Sequence, residues 1–171
     1  MGIALGKLFD IVPGVLPLDL QEARTGDMVN VRGCNHVTIV IVKGVGTDGD
    51  DQTFTLRQAT TVGGTAKDLA IIDEYWEKEA ATDLTGTGTW TRVTQTAAAT
   101  IAPGDPSAQD AAVYVIEVDV EEMDIAGGFD CLQLNNDGAG ANAQLGCIIY
   151  ILSGLRYPNA PQNQINSIVD P

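Results

Sequence analysis

The stretch "VKGVGTDGDDQTF", residues 42–54, decides the fold. Gly44, Gly46 and Gly49 spell G-x-G-x-x-G behind an apolar run, the spacing of a dinucleotide-binding turn. Such a turn works because glycines let backbone N–H groups reach a pyrophosphate at the N-terminus of a helix. Here Asp50, Asp51 and Gln52 follow the third glycine, and "TFTLRQAT" then alternates in the period of a strand. No helix begins there, and the aspartates would repel phosphate. The segment reads instead as an acidic hairpin tip joining two antiparallel strands, with glycine supplying positive φ and aspartate closing the turn.

Asp48, Asp50 and Asp51 raise a second reading, calcium, because hard cations gather oxygen ligands. An EF-hand loop begun at Asp48 fails. Its twelfth residue is Ala59 where a bidentate Glu belongs, and its sixth is Thr53 where a Gly belongs. A looser site, made of the three carboxylates and backbone carbonyls, stays as a weak candidate.

Outward from this loop the strand period recurs. "HVTIVIVK", residues 36–43, is β-branched and almost wholly apolar, as expected of a strand buried on both faces or central in a sheet. Residues 52–60 set Phe54 and Leu56 against Thr53, Thr55 and Arg57. "EYWEKEA", residues 74–80, leans to strand, with Tyr75 and Trp76 on opposite faces. Residues 88–96 set Trp90 and Arg92 against Thr91 and Val93. "AAVYVIEVDV", residues 111–120, turns Tyr114, Ile116, Val118 and Val120 to the core and Val113, Val115, Glu117 and Asp119 away from it. Residues 129–136 and 144–152 complete the series.

Gly/Asp/Thr-rich turns separate these runs. Residues 18–24 offer at most one or two turns of helix, and nothing is long enough for the crossover helices of a parallel sheet. Seven to nine short strands therefore predict an all-β chain, a jelly-roll-like β-sandwich. The sandwich is expected over residues 27–157. Residues 1–26, punctuated by Pro13, Gly14 and Pro17, read as an extended N-terminal arm, and residues 158–171 as a polar C-terminal tail.

Nine basic residues stand against 23 acidic ones in 171, a net charge of −14. A field of that sign disfavours nucleic acid and anionic membranes as partners. Cys34, Cys131 and Cys147 are odd in number and lack C-x-x-C spacing, so they read as free thiols. Cys131 and Cys147 in particular read as small buried hydrophobes. No secretory leader is evident at the start of the chain, and no apolar run approaches the length of a membrane span.

Catalysis finds little footing. His36 is the one histidine, and a Cys34–His36 pair on one strand face would lack a third group to orient it. Glu117 and Asp119 read as a solvated strand face rather than a glycosidase pair. No catalytic residue, cofactor or firm metal ligand is therefore assigned. Trp76 and Trp90 read as core or interface anchors. As an alternative they are the stacking platform of a calcium-dependent sugar-binding sandwich, a virion lectin-like module, with the loop over residues 48–51 holding the ion.

Three segments carry a family resemblance: "LPLDLQEARTGDMVNVRGCNHVTIVIVKG" (16–44), "DEYWEKEAATDLTGTGTWTRVTQT" (73–96) and the run from "VYVIEVDVEEMD" to "LSGLRYP" (113–158). Together they resemble the small structural proteins encoded in the head-gene clusters of tailed bacteriophages, of the capsid decoration or cement type. The resemblance implies a non-enzymatic virion protein, made in the host cytoplasm, that sits on the capsid exterior. It implies that the protein binds the major capsid protein, associates with itself as a dimer or trimer, and reinforces the head lattice. The apolar residues Leu5, Leu8, Phe9, Ile11, Val12, Val15 and Leu16 would be wasted on a solvated arm, and they are the expected interface.

Overall fold

The computed structural model describes residues 5–79, 88–103, 110–138 and 140–156. The first four residues of the expected arm and all of the expected tail lie outside these. One helical turn, α1 (Leu5–Leu8), precedes eleven strands. They are β1 (Asp10–Asp19), β2 (Val29–Asn30), β3 (His36–Lys43), β4 (Phe54–Ala59), β5 (Lys67–Asp68) and β6 (Ile72–Glu79). After them come β7 (Thr91–Ala98), β8 (Thr100–Ile101), β9 (Ala112–Asp119), β10 (Cys131–Asn136) and β11 (Leu145–Ser153). Two short 3-10 turns lie between β9 and β10. Among the described residues no helix is long and apolar enough to cross a membrane.

The strands form two antiparallel sheets. The larger runs β1-β11-β3-β9-β6-β7, and the smaller runs β2-β10-β4-β5, with β8 also paired to β4. The antiparallel pairs β1·β11, β2·β10, β3·β9, β4·β8 and β6·β7 are nested one inside the next. Successive rungs of this one long hairpin alternate between the sheets. A hairpin rolled in that way is a jelly roll: β3-β9-β6-β7 faces β2-β10-β4-β8, and the β1·β11 rung extends the first sheet by two strands. The all-β sandwich expected from strand periodicity is the fold observed.

The roll corrects the opening stretch. The loop after β3 is not a hairpin tip, because β3 lies in the larger sheet and β4 in the smaller. Each of these two strands has one strongly apolar face. Crossing between layers lets Val37, Ile39 and Ile41 of β3 meet Phe54 and Leu56 of β4 in one core, where all five are fully buried. Nor is β3 buried on both faces: Val40 is half-buried and Val42 exposed. β6 is the strand that its alternation suggested, with Tyr75 buried and Trp76 exposed.

The arm is corrected as well. From Asp10 to Asp19 it is the edge strand of the larger sheet, paired with β11 from Asp10↔Leu152 to Asp19↔Leu145. Residues 18–24 finish this strand and bend away without forming a helix. Prolines 13 and 17 suit an edge strand, where an N–H is not needed on the open side. Gly14, at a register shift, passes directly over the ring of Tyr150, and a Cβ there would come within 2.7 Å of it. Tyr150 lies fully buried between the layers. Its hydroxyl accepts from Leu134 N at 2.8 Å and donates to the carbonyl of Asp27 at 3.1 Å, tying the sheets together. Tyr114 packs against Phe54 and Tyr75 at ring separations of 6.4 and 6.5 Å.

Candidate functional site

The core takes one face of each strand of the larger sheet. The other face is apolar too, and its composition follows from the register. In one row across the sheet lie Ile149 of β11, Val40 of β3, Val115 of β9 and Trp76 of β6. The row on one side holds Cys147, Val42, Val113 and Lys78. The row on the other holds Ile151, Thr38 and Glu117, and beyond it lie Ser153, His36 and Asp119. Pro13 and Ile11 of β1 continue two of these rows to the sheet edge. The middle is aliphatic across four strands, with Trp76 38% and Ile11 45% exposed. Beside it a groove of about 590 Å³ runs between Leu18, Val42, Val113, Leu145 and Cys147.

One end of this face is polar. Nδ1 of His36 lies 2.7 Å from Asp119 Oδ1, and Nε2 lies 2.5 Å from Glu117 Oε2, which also accepts from Thr38 Oγ1 at 2.7 Å. Burial disfavours the imidazolium. The hydrogen bonds and charges of Asp119 and Glu117 outweigh that, and the imidazole pKa is raised. Both carboxylates do face solvent, as the alternation of β9 suggested. Their pairing with His36 joins residues more than eighty positions apart, so only the β3–β9 register could have exposed it.

Cys34 does not share that face. It points into the core, 6% exposed, with its thiol pushed up to about 12 chiefly by burial, so no Cys–His pair exists. Cys131 is fully buried, whereas Cys147 is half-exposed on the outer face, unlike the expectation for it. Lys43 ends β3 on the core side, 3% exposed, and donates to the carbonyl of Asp110. Burial lowers its pKa to about 8 against the pull of Glu79, Asp110 and Asp51. A second hollow of about 740 Å³ lies near Cys34, Asp119 and Phe129, where Arg32 pairs with Asp130.

The three aspartates of the opening loop do not form a ligand set. The carboxylate of Asp50 accepts from Ala141 N, Asn142 N and Asn142 Nδ2 at 3.1, 2.9 and 2.7 Å, clasping the loop before β11. Those bonds hold its pKa below the usual carboxylate value. Among the described residues no three His, Cys, Asp or Glu side chains converge as a metal ion requires.

Of the apolar residues expected at an interface, Val12 and Val15 are core residues, 1% and 6% exposed, and are unavailable to a partner. Alternation turns Val12 inward, and the register shift between Pro13 and Val15 turns Val15 inward as well. Leu5, Ile11 and Leu16 are exposed, and Leu8 and Phe9 are half-buried. Trp90 is exposed, and Lys78 Nζ stands 5.8 Å from its ring centroid.

No family model matches the chain, and no curated protein matches it. Among solved structures it is similar to the SPBc2 prophage-derived protein YomS, at 11% identity and a TM-score of 0.38, over 88% of this chain and 98% of that one. It is also similar to chains of infectious bursal disease virus strains Gt and Gx. These have 10% identity and TM-scores of 0.27 and 0.28, and the chain spans under half of their length.

Proposed function

We propose that the chain is a non-enzymatic structural protein of a tailed-phage virion, which docks on the capsid through apolar contacts with the major capsid protein and strengthens the head lattice. The observation that carries the reading is the apolar outer face of the larger sheet and its continuation to the β1 rim through Ile11 and Leu16. Contiguous apolar surface of this kind is built for contact with protein, not for water. The resemblance of the sequence to phage head-cluster proteins supplies the partner. Each 100 Å² of apolar surface covered across a capsomer seam would resist parting by about 2.5 kcal/mol before ordering costs.

The sugar-binding alternative has less support. The loop carboxylate best placed for calcium, Asp50, is already satisfied by Ala141 and Asn142. Virions with and without the protein, heated side by side, test the reading. Faster loss of infectivity is expected without it, and Leu16→Asp with Ile11→Asp should lower its copy number per head. Equal heat resistance in the two preparations would sink the proposal.

A further inference from the structure

We propose that His36, Glu117 and Asp119 form a pH-operated clasp at the polar end of the outer face, closed while the imidazole is protonated and open once it is not, and that opening weakens docking through that face. The docking half rests on the reading of the face as the capsid-binding surface. The clasp itself does not.

The geometry asks for two donors. Nδ1 of His36 lies 2.7 Å from Asp119 Oδ1, and Nε2 lies 2.5 Å from Glu117 Oε2. An ionised carboxylate only accepts, and a neutral imidazole carries one N–H and one lone pair. Both contacts are therefore hydrogen bonds only in the imidazolium. Loss of its proton turns a lone pair on one of the carboxylates, and that carboxylate must swing away. Asp119 stands directly opposite His36. Glu117 stands opposite Thr38, reaches His36 diagonally and keeps the Thr38 hydroxyl as a second donor. Glu117 is the arm that opens.

The surroundings favour the closed state in mild acid. Of the elements around His36, β11 presents the uncharged Ser153 and Ile151. β1 adds Asp10, opposite Leu152. β6 adds Glu74, two residues from Trp76, and Arg92 holds it. The turn after β9 adds Glu121 and Glu122, and Arg156 follows β11. Burial opposes the charge on His36, but the hydrogen bonds and charges of Asp119 and Glu117 outweigh it, and the proton is held more tightly than by a free imidazole.

Glu117 also borders the aliphatic middle of the face. It lies two residues from Val115 on the same side of β9, in the row of Thr38 and Ile151. Held by His36, it is neutralised at the rim of the surface that a partner must dry. Released, it brings an unpaired carboxylate there, and covering an unpaired charge is costly. Docking is therefore tightest in mild acid and loosens as pH rises past about 6.5.

His36 is the one histidine of the chain, so its ring signal in proton NMR is unambiguous. It should titrate above about 6.5, with the carboxyl carbon of Glu117 following at the same midpoint, and Glu117→Gln should lower that midpoint. Binding of the full chain to heads that lack it, at about pH 6 and about pH 8, reads the docking half. The wild type should bind about tenfold more weakly at the higher pH. Glu117→Gln should bind there as tightly as the wild type does in acid, a gain that damage to the fold would not give. His36→Gln should bind equally at both. A His36 midpoint at or below about 6.5 overturns the clasp. A pH dependence that survives His36→Gln overturns the gating and assigns it to other groups. Heads that bind no form at either pH overturn the capsid reading and the gating with it, while the NMR titration still decides the clasp.

Discussion

Lys43 is the residue most at odds with its surroundings. A charged ammonium at 3% exposure sits at the end of a strand whose other inward residues are Val37, Ile39 and Ile41. In the unfolded chain it holds its proton to about 10.5, and folded it releases it near about 8. Between those values the unfolded state binds more protons, so stability rises with pH. Lys43→Met keeps the length of the side chain and removes the charge. It is expected to raise stability at pH 7 by about 1–3 kcal/mol, as replacing buried charges by apolar groups often does. A melting temperature higher by several degrees, and a flatter pH dependence above pH 8, would show it. His36 behaves in the opposite sense. Its folded pKa is raised, so its contribution is full below about pH 6.5 and fades as pH climbs through the folded value. His36→Gln should abolish the loss of stability that sets in as pH rises past about 6.5, read from denaturant midpoints across a pH series. Little of either behaviour was legible in the sequence. "IVIVK" gives no sign of whether its lysine faces core or solvent until the strand on the opposing layer is known.

At the scale of elements, β1 was the hardest strand to read. Two prolines and a glycine within residues 13–17 break the local signature of a strand. Its pairing with β11 settles the matter, and that partner lies at the far end of the sequence. Removing residues 1–19 would take Val12 and Val15 from the core, uncover Leu152 and Tyr150, and leave β11 as a raw apolar edge. Burial of Val12 and Val15 alone is worth about 3–6 kcal/mol, against a total stability of about 5–15 kcal/mol. The truncated chain is expected to be insoluble or to melt at least 10 °C lower, by circular dichroism of the soluble fraction. An unchanged melt would make β1 an appendage after all. The strands with clean alternation, β4, β7 and β9, were legible because their two faces meet different environments. The loop between β3 and β4 was not, since local turn chemistry is the same whether a chain turns back in its own sheet or crosses to the other.

For the whole molecule, periodicity indicated a sandwich of short strands, and the nested pairing supplies its winding. Strand count and turn composition are local properties and survive in the sequence. Which strand neighbours which is not local, and the outer face of the larger sheet became visible only once β11, β3, β9 and β6 stood side by side. The same nesting orders events in time as the chain leaves the ribosome. The innermost rung closes over a short span, Glu77 with Thr91, while the outermost joins Asp19 to Leu145, 126 positions later. Synthesis proceeds from the N-terminal side, so β1 is made before the other strands of this roll and is the last of them to find its partner. Until β11 has emerged its apolar side chains have no partner strand, and the roll cannot be completed.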